Sequence, residues 1–186
     1  MKKPTYKYPE FVTKVELDSE NGKRYWLSLQ IAKNKTSGIT VILKNPSRAN
    51  EIISDKTVFN VCNYIHRNRK KYPVFNEIGK IIILNLIPIY MTESRGLKEF
   101  KKTIIDKKNV QTLNNYCKKN RNVIIAWGNH PRGLYNEYEV LKSETKRILI
   151  KNKNNVHYVD RLTKDGNPKH GQIWGYKNKL IKVLKL

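Results

Sequence analysis

The sequence has few acidic residues. It contains 15 Asp and Glu against 38 Lys and Arg, which gives a formal net charge of +23 at pH 7. A codon bias towards lysine would raise the basic count but would not lower the acidic one. Such an excess stores electrostatic repulsion that a polyanion relieves, and the nucleic-acid backbone is the usual polyanion. The charge therefore predicts contact with nucleic acid, with an anionic membrane surface as a weaker alternative. We expect DNA, duplex or single-stranded, as the partner, and the charge alone leaves RNA open.

Cysteines and long apolar segments are also scarce. Cys62 and Cys117 are the only two cysteines, and their isolation without a secretion signal predicts reduced thiols in the core. No Cys and His spacing resembles a metal site, and we expect neither a metal nor a cofactor. No run reaches the roughly 18 apolar residues of a membrane span, and no apolar segment follows the lysines of MKKPTYKYPE. We therefore expect a cytoplasmic, nucleoid-associated monomer, bacterial or phage-encoded, that makes no membrane contact.

Four short apolar runs carry the fold prediction. They are ITVIL (39–43), KIIILNLI (80–87), NVIIAW (122–127) and NVHYVD (155–160). Unbroken β-branched runs are typical of strands buried on both faces of a parallel sheet, and helical periodicity separates them. The alternation predicts an α/β protein, a three-layer α/β/α sandwich with a four-stranded parallel central sheet. We expect a single domain over 1–186, with an N-terminal extension (1–38) before the α/β core (39–186).

Local signals place a hairpin and several helices. Two alternating runs, Phe11–Leu17 and Lys23–Ile31, flank Asn21-Gly22 and predict a β-hairpin in the extension. Asp55 can cap a helix over DKTVFNVCNYIHRNRKK, whose apolar positions share one face. Spacing over 97–117 predicts one interrupted helix or two helices, and spacing over 138–148 predicts another.

Polar, turn-forming loops follow each apolar run. They read KNPSRAN, NLIPIYMTES, GNHPRGLYNEY and LTKDGNPKHGQIW. Ligands of α/β sheets bind where strands end and loops begin, so these loops predict one composite site. The last loop places His170 in a wall of that site.

Five motifs in this region resemble those of an uncharacterised bacterial and phage domain family. They follow the family's order between Ile39 and Trp174, and they read LKNPS (43–47), DKT (55–57), NL (85–86), AWG (126–128) and TKDGNPKH (163–170). This resemblance covers most of the predicted core. It supplies no chemistry, since the family is uncharacterised.

The layout is more distantly similar to the uracil-DNA glycosylase superfamily, an α/β/α fold whose sites line the carboxyl ends of four parallel strands. The resemblance implies that Asn45 holds an attacking water, that Asn85 reads the edge of a base and that His170 serves the leaving base. It places a W-G element at Trp127-Gly128. The sequence departs from the superfamily's pattern in having Asn for Asp in the water motif, Gly for Pro after the histidine, and GQIWGY for a serine-rich wedge loop.

The implied reaction is hydrolysis of an N-glycosidic bond after the nucleotide is flipped out of the stack. Positive charge builds on the sugar and negative charge on the base, so the site needs a placed water and a donor for the anion. Phe59 or Tyr90 would stack on the flipped base, and Ile173 or Trp174 would fill the gap in the duplex. The predicted phosphate contacts are Lys44, Arg48, Arg132, Lys164 and Lys169. Further pocket candidates are Pro46, Ser47, Asp55, Trp127, Gly128 and Asp165.

Each of these residues also has a structural reading. Asn45 with its following Pro and Ser could form a strand exit, Asn85 could cap a loop, and Asp55 could serve only as a helix cap. Phe59 and Trp127 could be core residues, Lys164 and Asp165 could belong only to a turn over 163–166, and His170 could be a solvent-exposed loop histidine. Two other functions therefore stay open: a catalytically inactive nucleic-acid-binding module with a base pocket, and an enzyme acting on free nucleotides or nucleosides.

Overall fold

The structure is a computed structural model that describes residues 6–186, so the first five residues of MKKPTYKYPE lie outside it. Over this range the chain forms one sheet of seven strands in the order β1-β2-β4-β3-β5-β6-β7. The strands are β1 (Lys14–Glu20), β2 (Lys23–Gln30), β3 (Ser37–Leu43), β4 (Ile78–Asn85), β5 (Asn122–Ile125), β6 (Asn155–Val159) and β7 (Leu180–Lys182). The helices are α1 (Lys56–Arg67), α2 (Pro73–Asn76), α3 (Lys107–Lys119) and α4 (Tyr135–Lys151), with 3₁₀ helices at Ser94–Phe100 and Gly171–Ile173. The predicted α/β class is confirmed.

The sheet is mixed, which corrects the prediction of a four-stranded parallel sheet. The four apolar runs do form β3 to β6, and these strands pair in parallel in the order β4-β3-β5-β6. However, β2 pairs antiparallel with β4, and β7 pairs antiparallel with β6. The added strands satisfy the backbone groups that the two edges of a four-stranded sheet would expose.

The predicted N-terminal hairpin is confirmed and extends the sheet. Asn21 and Gly22 have φ of 48° and 73°, the left-handed backbone that tight hairpin turns require. The pairing of β1 with β2 contains a register shift near this turn: Asp18 pairs with Trp26, whereas the next residue pairs with Arg24. Such a bulge re-aims side chains. The Arg24 side chain is 1% exposed and donates from Nη1 to the Ala49 carbonyl at 3.0 Å.

Helices pack on both faces of the sheet. One apolar cluster joins α1 to alternate residues of β2, β3 and β4, and a second joins α3 and α4 to the intervening residues. Cys62 lies in the first cluster and Cys117 in the second, and both are buried and free, which confirms the predicted core thiols. Asp55 caps α1 as predicted, since its side chain accepts from the Val58 N–H. No helix in the described part of the chain is long and apolar enough to cross a membrane.

Candidate active site

A cavity of about 390 Å³ opens beyond the carboxyl end of β3. This strand lies between β4 and β5, so the strand order reverses around it, and ligands of α/β sheets commonly bind at such a point. Three loops form the walls, after β3, after β4 and after β6. The lining residues are Lys44, Asn45, Ser47, Arg48, Asp55, Lys56, Thr57, Met91, Thr92, Ser94, His170, Gln172 and Ile173.

The side chain of Asn45 is fixed by the main chain around it. Its Nδ2 donates to the Pro46 carbonyl at 2.8 Å and to the Met91 carbonyl at 2.7 Å. An amide nitrogen has two N–H groups, and both are used here. The amide oxygen is therefore the polar atom that Asn45 offers to the cavity, as a hydrogen-bond acceptor.

The imidazole of His170 offers a hydrogen-bond donor to the cavity, whereas Asn45 offers an acceptor. Its Nδ1 accepts from the Gln172 N–H at 3.3 Å, which leaves the ring proton on Nε2. Burial, with a further contribution from the Lys44 charge, lowers the pKa of His170 to about 4. The ring is consequently neutral at pH 7, and its free polar group is the Nε2–H donor.

Two glycines allow the chain to hold His170 close to the strand ends. Gly128 has φ +66°, and a Cβ there would lie 3.2 Å from the His170 Cβ; its N–H donates to the Pro168 carbonyl at 3.0 Å. A Cβ on Gly171 would lie 2.8 Å from Cγ2 of Val61 in α1. Neither position accepts a side chain without displacement of a neighbour.

The loop before His170 is braced from the neighbouring strand end. Asn129 donates to Asp165 Oδ2 at 2.7 Å and accepts from the Thr163 hydroxyl at 2.7 Å. Asn167 closes the turn by donating its N–H to Thr163 Oγ1 at 3.1 Å. Asp165 therefore has a structural contact in this loop and does not line the cavity. The sequence analysis missed Asn129, although it follows the AWG motif directly.

The cavity contains a half-buried amine. Lys44 follows β3 directly, and its carbonyl accepts from the Ile87 N–H at 2.9 Å, which anchors its main chain. Burial lowers the pKa of Lys44. The carboxylate of Asp55 also lines the cavity, and it accepts from backbone N–H groups of Val58, Arg48 and Ala49 at 2.9, 3.4 and 3.4 Å.

A family model described as "Protein of unknown function (DUF1643)" matches residues 24–171, well over half of the chain. The chain belongs to the DUF1643 family. In this DUF1643 protein the matched range includes Lys44, Asn45 and His170 and ends before Ile173. No curated protein and no solved structure matches the chain. The similarity to the uracil-DNA glycosylase superfamily consequently rests on the sequence motifs alone.

Asn85 of the DUF1643 protein lies outside the cavity. It ends β4 beside Leu43 and is 0% exposed, and neither atom of its side-chain amide has a hydrogen-bond partner among residues 6–186. Its main-chain oxygen accepts from Asn109 Nδ2 at 3.0 Å. A buried polar group without a partner costs about 1–3 kcal/mol. In this conformation the side-chain amide of Asn85 is therefore not accessible to a base in the cavity.

The predicted stacking and wedge residues fall into two groups. Phe59 and Tyr90 are half-buried and do not line the cavity; the Tyr90 ring centre lies 5.8 Å from the guanidinium carbon of Arg24. Ile173 is 63% exposed on the cavity rim. Trp174 is only 5% exposed, and its indole N–H donates to a carbonyl oxygen at 3.1 Å. Because the indole of Trp174 is buried in the core, Ile173 is the one of the two predicted wedge residues that is exposed.

The remaining candidates are placed around the cavity rather than in it. Trp127 and Pro46 are buried, and Arg132 and Lys164 are exposed on loops. Lys169 pairs with a carboxylate, Asp160, at 2.5 Å. Cavity residues that were not predicted are Lys56, Thr57, Met91, Thr92, Ser94 and Gln172. The first two belong to the DKT motif, so the motif itself was a signal for them.

Proposed function

We propose that this DUF1643 protein is a DNA-binding enzyme that hydrolyses the N-glycosidic bond of a uracil-like or modified base. The observation that carries the proposal is that one cavity contains both a hydrogen-bond acceptor and a hydrogen-bond donor. Asn45 presents an acceptor for water, and His170 presents a neutral N–H donor. These are the two groups that an oxocarbenium-like reaction needs from its enzyme.

In the proposed reaction, water held by the Asn45 oxygen attacks C1′ of the sugar. The C1′–N bond breaks, and the base departs with its electron pair as an anion. His170 stabilises that anion by a hydrogen bond from Nε2–H rather than by proton transfer, because its low pKa makes the cation rare at pH 7. The water proton passes to solvent, since an amide is too weak a base to take it.

Binding to DNA follows in this proposal from the net charge of +23. Lys44 and Arg48 line the cavity, where phosphates of a flipped nucleotide would lie, and the exposed Ile173 would enter the vacated stack. The four parallel strands with helices on both faces would then correspond to the α/β/α core of the uracil-DNA glycosylase superfamily. The protein would act as a monomer in the cytoplasm, on nucleoid DNA.

One observation favours a second function, an inactive base-binding module. Within the described part of the chain, Asp55 is the only carboxylate on the cavity wall, and three backbone N–H groups hold it as a cap. The cavity therefore offers no general base of ordinary strength apart from Lys44. A protein that binds flipped bases without releasing them would need nothing more.

The test is incubation with DNA that contains uracil, hydroxymethylated pyrimidine or glucosylated pyrimidine, scored for abasic sites. We expect abasic sites from one of these substrates with the wild-type protein and a strong reduction with His170→Ala. Selective binding of one modified DNA without any abasic product would establish the binding module instead. Release from free nucleotides but not from DNA would assign the enzyme to nucleotide metabolism.

A further inference from the structure

The Lys44 amine lines the cavity, and the hydrolysis described above gives it no chemical step. Its side chain is half-buried and lines the cavity next to Asn45. Among residues 6–186 no carboxylate forms an ion pair with it, although ten such pairs involve other cations. Burial lowers the pKa of Lys44, which gives a larger share of neutral amine than an exposed lysine has, and the neutral amine is the form that attacks a carbonyl carbon.

The cavity wall supplies no partner for the Lys44 charge among the described residues. The other charged or titratable side chains on this wall are Arg48, Asp55, Lys56 and His170. Asp55 is the carboxylate among them, and it accepts from backbone donors. Lys44 and His170 line the same cavity, so the amine shares a wall with the imidazole that faces the proposed leaving base.

We propose that Lys44 is a Schiff-base nucleophile and that the protein has abasic-site lyase activity. The inference rests on the proposed function, because release of a base leaves an abasic deoxyribose whose ring-opened form carries an aldehyde at C1′. The same cavity that releases the base would hold this aldehyde beside the amine.

The proposed steps balance without an oxidant or reductant. The neutral Lys44 amine adds to the C1′ aldehyde, and loss of one water gives an imine, which takes up a proton. Loss of a C2′ proton to water then expels the 3′-phosphate by β-elimination and breaks the strand. Water hydrolyses the conjugated imine, which returns the lysine amine and leaves an unsaturated aldehyde on the cleaved end.

The test uses DNA with a preformed abasic site, so that it does not depend on base release. Wild-type protein and DNA are mixed with sodium borohydride, which delivers hydride to an imine carbon and fixes a covalent amine. We expect a protein–DNA adduct on a denaturing gel, and peptide mass spectrometry of the digested adduct should map it to Lys44. Lys44→Arg keeps the positive charge but removes the nucleophile, and it should reduce the adduct by at least about tenfold.

Lys80→Arg is the matched control, because Lys80 is also a half-buried lysine on a central strand but lies outside this cavity. It should give a wild-type yield of adduct and bind abasic DNA as the wild type does, and the Lys44→Arg adduct is scored at protein concentrations that saturate the DNA. An adduct of full yield in Lys44→Arg, an adduct mapped to another lysine, or no adduct with wild-type protein overturns the proposal. Each of these results leaves the base-release assay unaffected, so failure of the lyase and failure of the glycosylase are separate outcomes.

Discussion

Two side chains near the candidate site have unusual environments. Burial lowers the pKa of His170 from 6.5 to about 4, and Asn85 is fully buried with neither amide atom paired among residues 6–186. The first costs stability only below pH 6.5, whereas the second costs stability at any pH. Perturbed pKa values and unpaired buried groups concentrate at functional sites. At the scale of single residues, this combination favours a functional reading of the strand-end loops.

His170 should make the stability of the protein depend on pH. Its pKa falls from 6.5 to about 4 on folding, so between these values the unfolded chain binds a proton that the folded protein does not. Stability is therefore retained above pH 6.5 and falls as pH is lowered towards 4, by up to about 3 kcal/mol. Urea unfolding at pH 7 and pH 4.5 should show a larger loss for wild type than for His170→Gln. Equal losses would mean that the ring is solvated when folded.

The buried, unpaired amide of Asn85 should lower the free energy of unfolding of the protein. Replacement of its unpaired amide by an apolar side chain of similar volume, Asn85→Leu, should raise the free energy of unfolding by about 1–2 kcal/mol. Asn85→Ala serves as a control for the loss of volume and should not stabilise. If Asn85 reads a base, Asn85→Leu should also lose discrimination among modified bases while non-specific DNA affinity is unchanged. A destabilised Asn85→Leu would show that the amide is solvated or paired.

At the scale of elements, the 3₁₀ helix Gly171–Ile173 connects the fold to the site. It begins directly after His170, it packs on α1 through Gly171, and it ends at the rim residue Ile173. Any movement of this helix away from α1 would move the imidazole with it. The contact therefore links packing of α1 to the position of the proposed donor.

Gly171→Ala should test that link. The added methyl would lie 2.8 Å from Val61, and overpacking of this kind costs about 1–3 kcal/mol. We expect slower base release at a temperature where the variant is fully folded. Gly22→Ala is the control, because its Cβ would meet nothing within 4 Å while its φ of +73° still imposes strain. Loss of release in both variants would mean that stability alone is responsible.

Most strands and the cap of α1 could be predicted from the sequence, whereas the last strand and the loop paths could not. The four strands of the parallel centre followed from unbroken β-branched runs, and the α1 cap followed from Asp55 before an amphipathic segment. The strand Leu180–Lys182 was missed because three residues in a lysine-rich tail carry no periodicity of their own, and pairing with β6 alone makes it a strand. Strand ends fix where a loop starts but not its path. Asn45 and His170 were therefore predicted to converge and do so, whereas Asp165 turns back to Asn129.

At the scale of the whole molecule, the charge is largely unpaired. The 15 acidic residues cannot neutralise 38 basic ones, and a surface with this excess attracts DNA in a salt-dependent manner. Each phosphate contact contributes about −0.9 to the slope of log affinity against log salt concentration on duplex DNA. This slope measures how many lysines and arginines contact phosphates.

Two lysines of the same loop should contribute differently to that slope. Lys164 is exposed, whereas Lys169 is paired with Asp160 at 2.5 Å. Fluorescence anisotropy over 50–200 mM salt should show that Lys164→Ala makes the slope shallower by about 0.9, and that Lys169→Ala has a smaller effect. A wild-type slope near zero would remove DNA from the proposed partners.

The central claim is that Asn45 and His170 act on one transition state for release of a base. The most direct measurement is single-turnover base release from the preferred modified DNA by wild type, Asn45→Ala, His170→Ala and the double variant. We predict that His170→Ala slows release by about 10²–10³ with little change in DNA affinity. We also predict that Asn45→Ala slows release and that the double variant loses less than the product of the two effects. Full activity in His170→Ala, or loss of activity through unfolding alone, would contradict the account.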